Sequence, residues 1–272
     1  MSAKIGLALG GGGARGFAHL GVVRALRELG ITIHCIVGTS IGAIIGGVVA
    51  SGVENVAMDW VNMPDWKKLP QLFFEFCIPK RGLLRGRNIE EFLRQTIPAV
   101  SFSDLKIPFA VVATDYNSGE EVVIKDGDVH TAVRASMSIP GVFDPVELDG
   151  RILVDGGLAN PVPVDVCRSM GADVVIAVDI NANKSRAVKR GIGDVNILDA
   201  LDSMFTICTN RLTQMNLAKD CPELMLAPPL RDIMMLDFRS LREIVAQGYE
   251  YAMLKRSVIK NIASSPMTVT NI

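Results

Sequence analysis

Ser40 stands between two glycines in Gly38-Thr39-Ser40-Ile41-Gly42, after the apolar run His34-Cys35-Ile36-Val37 and before Ala43-Ile44-Ile45. The G-x-S-x-G spacing is that of a nucleophile elbow, a sharp strand-to-helix turn that presents a serine hydroxyl outward and needs unbulky neighbours on either side. The chemistry this supports is attack on an ester carbonyl, although so short a motif also arises by chance. An attacking serine needs a base to take its proton and donors to hold the developing oxyanion, so both should be found elsewhere in the chain.

Gly10-Gly11-Gly12-Gly13-Ala14-Arg15-Gly16 follows the apolar run Ile5-Gly6-Leu7-Ala8-Leu9 and opens the helical pattern Ala18, Val22, Val23, Leu26, Leu29 that stops at Gly30. Successive residues without side chains at a helix start leave N–H groups unpaired and reinforced by the helix dipole, which suits a phosphate or an oxyanion. Gly11, Gly13 and Gly16 fit G-x-G-x-x-G, so a dinucleotide site is one reading. It fits poorly, because the second strand of such a unit should close on an acidic residue and here runs into Gly38-Thr39-Ser40. A P-loop fits less well, since Phe17 and Ala18 stand where Lys and Ser/Thr are required. A tight turn that only packs helix on strand is the bland alternative; an oxyanion hole is the reading preferred here.

For the base, Arg151-Ile152-Leu153-Val154-Asp155-Gly156-Gly157 is a short apolar strand ending in a carboxylate and two glycines. By itself such an Asp reads more readily as a plain turn residue, and only the need for a base changes that weighting. The chain has three histidines, His19, His34 and His130, and none carries a supporting motif. Packed or surface roles suit them better than catalysis, but separation in sequence does not exclude a triad.

Together the G-G-G-A-R-G loop, the G-T-S-I-G elbow and the D-G-G turn, in that order, resemble the patatin-like phospholipase family, in its small bacterial-type form. Ala135-Ser136-Met137-Ser138-Ile139-Pro140-Gly141-Val142-Phe143 also resembles that family's A-S-x-x-x-P-x-x-F segment. The resemblance covers roughly residues 4–180 and weakens beyond. It implies a Ser-Asp dyad without histidine, with Ser40 as nucleophile and Asp155 as base. The amides of Gly11, Gly12 and Gly13 would form most of the oxyanion hole, joined by that of Ile41, the residue after the nucleophile. Arg15, Gly16, Gly38, Gly42, Gly156 and Gly157 would support the motifs. Arg15 could meet a lipid phosphate or a structural carboxylate, and the structural role is preferred. The implied activity is hydrolysis of lipid carboxyl esters, with no cofactor and no metal.

The elements needed to position these residues are legible in outline. The chain has 272 residues, nearly half of them apolar (49%), enough for one substantial core. Short apolar strands alternate with helical patterns, which predicts an α/β fold. Strands are expected at 5–9, 33–37, 109–114, 122–124, 152–154, 174–179 and 224–227. Helices should follow both glycine motifs and occupy 88–95, 163–170, 197–217 and 241–262. The expected architecture is one domain over 1–272, a mostly parallel sheet flanked by helices in the patatin-like, modified α/β-hydrolase-type three-layer sandwich, completed by helices over 195–262. Residues 181–194, with Lys184, Arg186, Lys189 and Arg190, read as a solvated linker.

An uncharged run from 29 to 53 is long enough to span a bilayer, but His34, Thr39, Ser40 and five glycines from Gly38 onward make it a buried strand, elbow and helix instead. No secretion signal is legible and the five cysteines, Cys35, Cys77, Cys167, Cys208 and Cys221, lack C-x-x-C spacing, so a reduced, cytoplasmic protein is expected. Residues 65–94 carry seven basic and four acidic side chains interleaved with Trp66, Leu72, Phe73, Phe74 and Phe76. They would suit peripheral contact with an anionic membrane face, at roughly 1 kcal/mol per basic side chain; a helical excursion into the core is the alternative. A net charge of −1 gives no support for nucleic acid. Oligomeric state is not legible. Two other functions stay in view: a regulatory or partner-activated protein of the same fold, and a dinucleotide-binding protein.

Overall fold

The computed structural model describes residues 3–55, 58, 61, 87–182, 197–230, 233–234 and 237–264. The linker expected at 181–194 lies outside them beyond Ala182, and so does the 65–94 segment as far as residue 86.

Strand β1 (Ile5–Leu9) leads through the glycine loop and a 3-10 turn (Gly13–Phe17) into α1 (Ala18–Glu28). Strand β2 (Ile33–Thr39) is followed at once by α2 (Ile41–Ser51), leaving Ser40 alone at the junction. Helix α3 (Arg87–Thr96) precedes β3 (Phe109–Asp115), β4 (Glu121–Ile124), α4 (Val129–Ser136), β5 (Val146–Leu148) and β6 (Arg151–Asp155). Then come α5 (Val164–Ser169), β7 (Val174–Val178), α6 (Ile197–Leu217), β8 (Leu224–Leu226), α7 (Leu241–Leu254) and α8 (Arg256–Ser264).

The eight strands form one sheet in the order β5-β6-β3-β2-β1-β7-β8, with β4 pairing on β3. Pairs β1–β2, β1–β7, β2–β3 and β7–β8 are parallel; β3–β4, β3–β6 and β5–β6 are antiparallel. The parallel centre is covered on both faces, which is why its strands are apolar at every position rather than at alternate ones. Leu7, Leu9, Ile36, Val111, Ala113, Ile176 and Val178 point into the larger core beneath α1, α2, α4 and α7. Their neighbours Ala8, Val37, Ala110, Val112, Val175 and Ala177 point into a smaller core under α5. Small residues dominate that second face, letting α5 sit close.

Register places the chemistry. Thr39 pairs with Val112 and, on the other side of β3, Ala113 pairs with Asp155. The ends of β2 and β6 therefore lie level across a single intervening strand. Leu9, the last residue of β1, pairs with Gly38, so the glycine loop leaves the sheet at the same edge.

Candidate active site

Ser40 has φ 56° and ψ −123°, a conformation costly for any residue with a side chain, of order 1–3 kcal/mol. The neighbouring glycines explain how the turn closes. A Cβ on Gly38 would run into the Gly42 carbonyl and one on Gly42 into the Leu9 carbonyl. The strain is held by bonds on both sides of the serine. Its carbonyl accepts from the amides of Ala43 (2.9 Å) and Ile44 (3.3 Å) in the first turn of α2. Its own N–H donates to Ser136 Oγ at 2.8 Å, and Ser136 Oγ in turn donates to the Val112 carbonyl at 2.6 Å.

The Ser40 hydroxyl donates to Asp155 Oδ2 at 2.7 Å. The other carboxylate oxygen, Oδ1, accepts the Gly157 N–H at 2.8 Å. Asp155 is wholly buried, whereas Ser40 is 6% exposed, so the pair opens outward through the serine. The backbone of Asp155 is fixed as well: its N–H donates to the Ser138 carbonyl (3.0 Å) and its carbonyl accepts from Thr114 Oγ1 (2.9 Å). Burial pushes the carboxyl up from its ordinary 3.8 to about 7, against the lowering effect of the Ser40 and Gly157 hydrogen bonds. A carboxyl without a cation beside it in a dry site behaves this way because the charged form loses its hydration.

The glycine loop is pinned peptide by peptide. The Gly10 carbonyl accepts from His19 Nε2 at 2.8 Å, and the Gly10 N–H donates to the Val178 carbonyl. The expectation for Gly11 is corrected: its N–H donates to the Pro161 carbonyl at 3.1 Å and is not free for an oxyanion. The amides of Gly12, Gly13 and Ile41 have no acceptor among the described residues. Gly11 still lies against Ser40, since a Cβ there would stand 3.2 Å from the serine's own. Gly12, at φ 154°, has no room for a side chain against Asn181 and Ile180.

Arg15 takes the structural role. It is 1% exposed, donates to Asn181 Oδ1 at 2.6 Å and pairs with Asp202 at 3.5 Å. Burial lowers its pKa, opposed by Asp202 and Asp179, but a guanidinium stays charged regardless. Asp179, raised by its own burial, accepts the amides of Asn181 and Ala182.

None of the three histidines bonds to Ser40 or Asp155. His19 is wholly buried on Gly10, and burial pulls it down to about 4, so it is neutral at working pH. His130 is bonded to the Ile97 carbonyl at 2.8 Å, and His34 lies in β2 with its Nε2 beside Gly171. Four residues that hold the site carry no signal of their own in the sequence reading: Thr114, Ser138, Asn160 and Asn181. Asn160 accepts Thr39 Oγ1 on its carbonyl (2.9 Å) and donates from its side chain to Glu121 and Asp165. Asn181, at the head of the supposed linker, is 5% exposed.

Ser40 thus stands on an elbow, bonded to a buried carboxylate, with nearby backbone amides that have no acceptor among the described residues. Residues 7–168 match the profile described as patatin-like phospholipase, and the chain belongs to that family. It is 40% identical over 184 residues to an uncharacterized NTE family protein of Mycobacterium bovis, covering 68% of this chain and 51% of that one. It is 32% identical over 275 residues to patatin-like phospholipase domain-containing protein 7 of Rattus norvegicus, covering 91% and 20%. The chain thus spans about half of the mycobacterial relative and a fifth of the rat one. VipD from Legionella pneumophila shares the fold, with a TM-score of 0.54 at 13% identity over 94% of this chain and 67% of that one. Among the described residues no helix is long and apolar enough to cross a membrane.

Proposed function

We propose that this protein is a serine hydrolase of lipid carboxyl esters, of phospholipase A, lysophospholipase or esterase type. The observation that carries the reading is the 2.7 Å bond from the Ser40 hydroxyl to a carboxylate that is wholly buried and titrates near neutrality. Asp155 takes the hydroxyl proton as Ser40 Oγ attacks the ester carbonyl carbon. The carbonyl electron pair becomes an oxyanion, held by the loop amides of Gly12 and Gly13 and by that of Ile41 at the N-terminal end of α2, where the helix dipole adds to it. Collapse expels the alcohol, which receives the proton from Asp155. Water then attacks the acyl-serine by the same route in reverse, freeing the fatty acid.

A carboxylate of ordinary acidity is a poor base at pH 7; one raised to about 7 is matched to the task. Family membership supports the lipid substrate. Incubation with phospholipid vesicles and with a soluble short-chain ester should release acid from both, and Ser40→Ala should release none. Equal release by Ser40→Ala would refute the proposal. The 65–94 segment is the proposed membrane contact, on its basic and aromatic sequence. Replacing Phe73, Phe74 and Phe76 by alanine should then lower turnover on vesicles several-fold more than on the soluble ester, and equal losses would assign them to the core.

A further inference from the structure

The geometry points to Asn181 as the positioning residue of the oxyanion hole, acting on the Gly11–Gly12 peptide from 170 positions away in the chain. The inference rests on the hydrolase reading above. Asn181 Nδ2 donates to the Gly11 carbonyl at 2.8 Å, and its Oδ1 accepts from Arg15 Nη1 at 2.6 Å. Its own backbone N–H is bound to Asp179 Oδ1 at 2.8 Å. The side chain is thus held at both ends and the backbone beneath it at a third point, with the amide orientation set by a cation that can only donate.

The peptide between Gly11 and Gly12 is trans, so its carbonyl and its N–H point in opposite directions. Holding the Gly11 carbonyl on Asn181 therefore turns the Gly12 N–H away from Asn181. Gly12 adopts φ 154°, one of several conformations open to glycine, so the local backbone alone does not hold that orientation. The peptide before it is pinned in the same way, with the Gly10 carbonyl on His19 and the Gly11 N–H on Pro161. Gly12 is the first amide of the loop left without an acceptor among the described residues, and Asn181 sets its direction.

The test compares wild type with Asn181→Asp and Asn181→Ala. Aspartate is isosteric and keeps the acceptor for Arg15, but sets a carboxylate oxygen against the Gly11 carbonyl, so its fold should hold while the peptide turns. The probe is an alkyl trifluoromethyl ketone. Ser40 Oγ bonds to its carbonyl carbon, the π pair becomes the oxyanion and the hydroxyl proton passes to Asp155. The matching secondary alcohol, which forms no such bond, reports binding alone.

In folded variants kcat/KM for a soluble ester and the affinity for the ketone should fall together by about a hundredfold, the usual effect of one oxyanion donor. The affinity for the alcohol should stay within about twofold of wild type and the pH midpoint of kcat/KM within about 0.3 unit, a split that plain loosening of the site would not give. On wild-type protein, adduct formation should move the Gly12 amide proton downfield and leave that of Gly11 in place. The assignment fails if the ketone binds both variants as tightly as wild type, if alcohol and ketone weaken together, or if Gly11 shifts in place of Gly12. Wild type that forms no ketone adduct overturns the hydrolase reading and this inference with it.

Discussion

Replacing Asp155 with asparagine should make the protein more stable at alkaline pH while removing its activity. The carboxyl is wholly buried with no cation among its bonds, and burial raises it from 3.8 to about 7. Between those two values the unfolded chain has released this proton and the folded protein has kept it. Folding then takes up a proton, so stability falls as pH rises through this window and levels off above about 7. The gap corresponds to roughly 4 kcal/mol lost by pH 8. Asparagine has no charge to bury and keeps an acceptor for the Gly157 N–H, but its amide fits the Ser40 hydroxyl less well. About half of the gap, roughly 2 kcal/mol, should be recovered, or about 4 °C in Tm for a chain of this length. The assay is thermal unfolding of both proteins from pH 4 to 8.5. The variant should be the less stable near pH 4, where wild type is protonated and keeps its better contact with Ser40; the two Tm values should cross at about pH 5.5 and separate up to about pH 7 with the variant higher. A separation independent of pH, or a variant less stable at pH 8, would refute the argued burial of an unpaired carboxyl.

The same titration governs activity: kcat/KM on a soluble ester should rise with pH to a midpoint near 7 as Asp155 becomes able to accept a proton, and a midpoint near 4 would show an ordinary exposed carboxylate. Ser40→Gly should be about 1 kcal/mol more stable than Ser40→Ala in denaturant unfolding, since both lose the hydroxyl and only glycine is relieved at φ 56°; equal stabilities would show the turn to be unstrained. Ser136→Ala should slow acylation at least tenfold with little change in KM, because it frees the Ser40 N–H. Ser51→Ala, which removes a buried hydroxyl bonded only to a helix carbonyl, should leave acylation unchanged, and equal effects of the two would make Ser136 a stability residue alone.

Local pattern was enough for the parts of the fold in which a short stretch decides its own conformation. The glycine spacing around Ser40, the apolar strands at the sheet centre and the long helix Ile197–Leu217 fall where periodicity and composition put them. Helix α4 was not foreseen. Val129-His130-Thr131-Ala132-Val133-Arg134-Ala135-Ser136 is weak by propensity, and the helix is held by the Asp128 cap and by burial of Val129, Ala132 and Val133. Strand β5 is three residues long and paired only on β6, too short to show alternation. The helix expected over 241–262 breaks at Lys255 into α7 and α8 with no Gly or Pro to announce it.

At the site, residue types were legible and hydrogen-bond partners were not. Spacing shows that Gly11, Gly12 and Gly13 can each offer an amide, but Pro161, brought back by the turn after β6, decides that Gly11 has none to spare. Asn181 reads as the start of a basic linker because its neighbours 184–190 are charged, while its burial comes from Arg15 and Gly11, folded onto it from the far end of the chain.

The most direct measurement is labelling with a fluorescent fluorophosphonate, read by gel and intact mass, on wild type, Ser40→Ala and Asp155→Asn. A single adduct on wild type, absent from Ser40→Ala and slowed at least a hundredfold in folded Asp155→Asn, is the expected result. Labelling of Ser40→Ala at the wild-type rate, or no adduct on well-folded wild type, would contradict an activated Ser40.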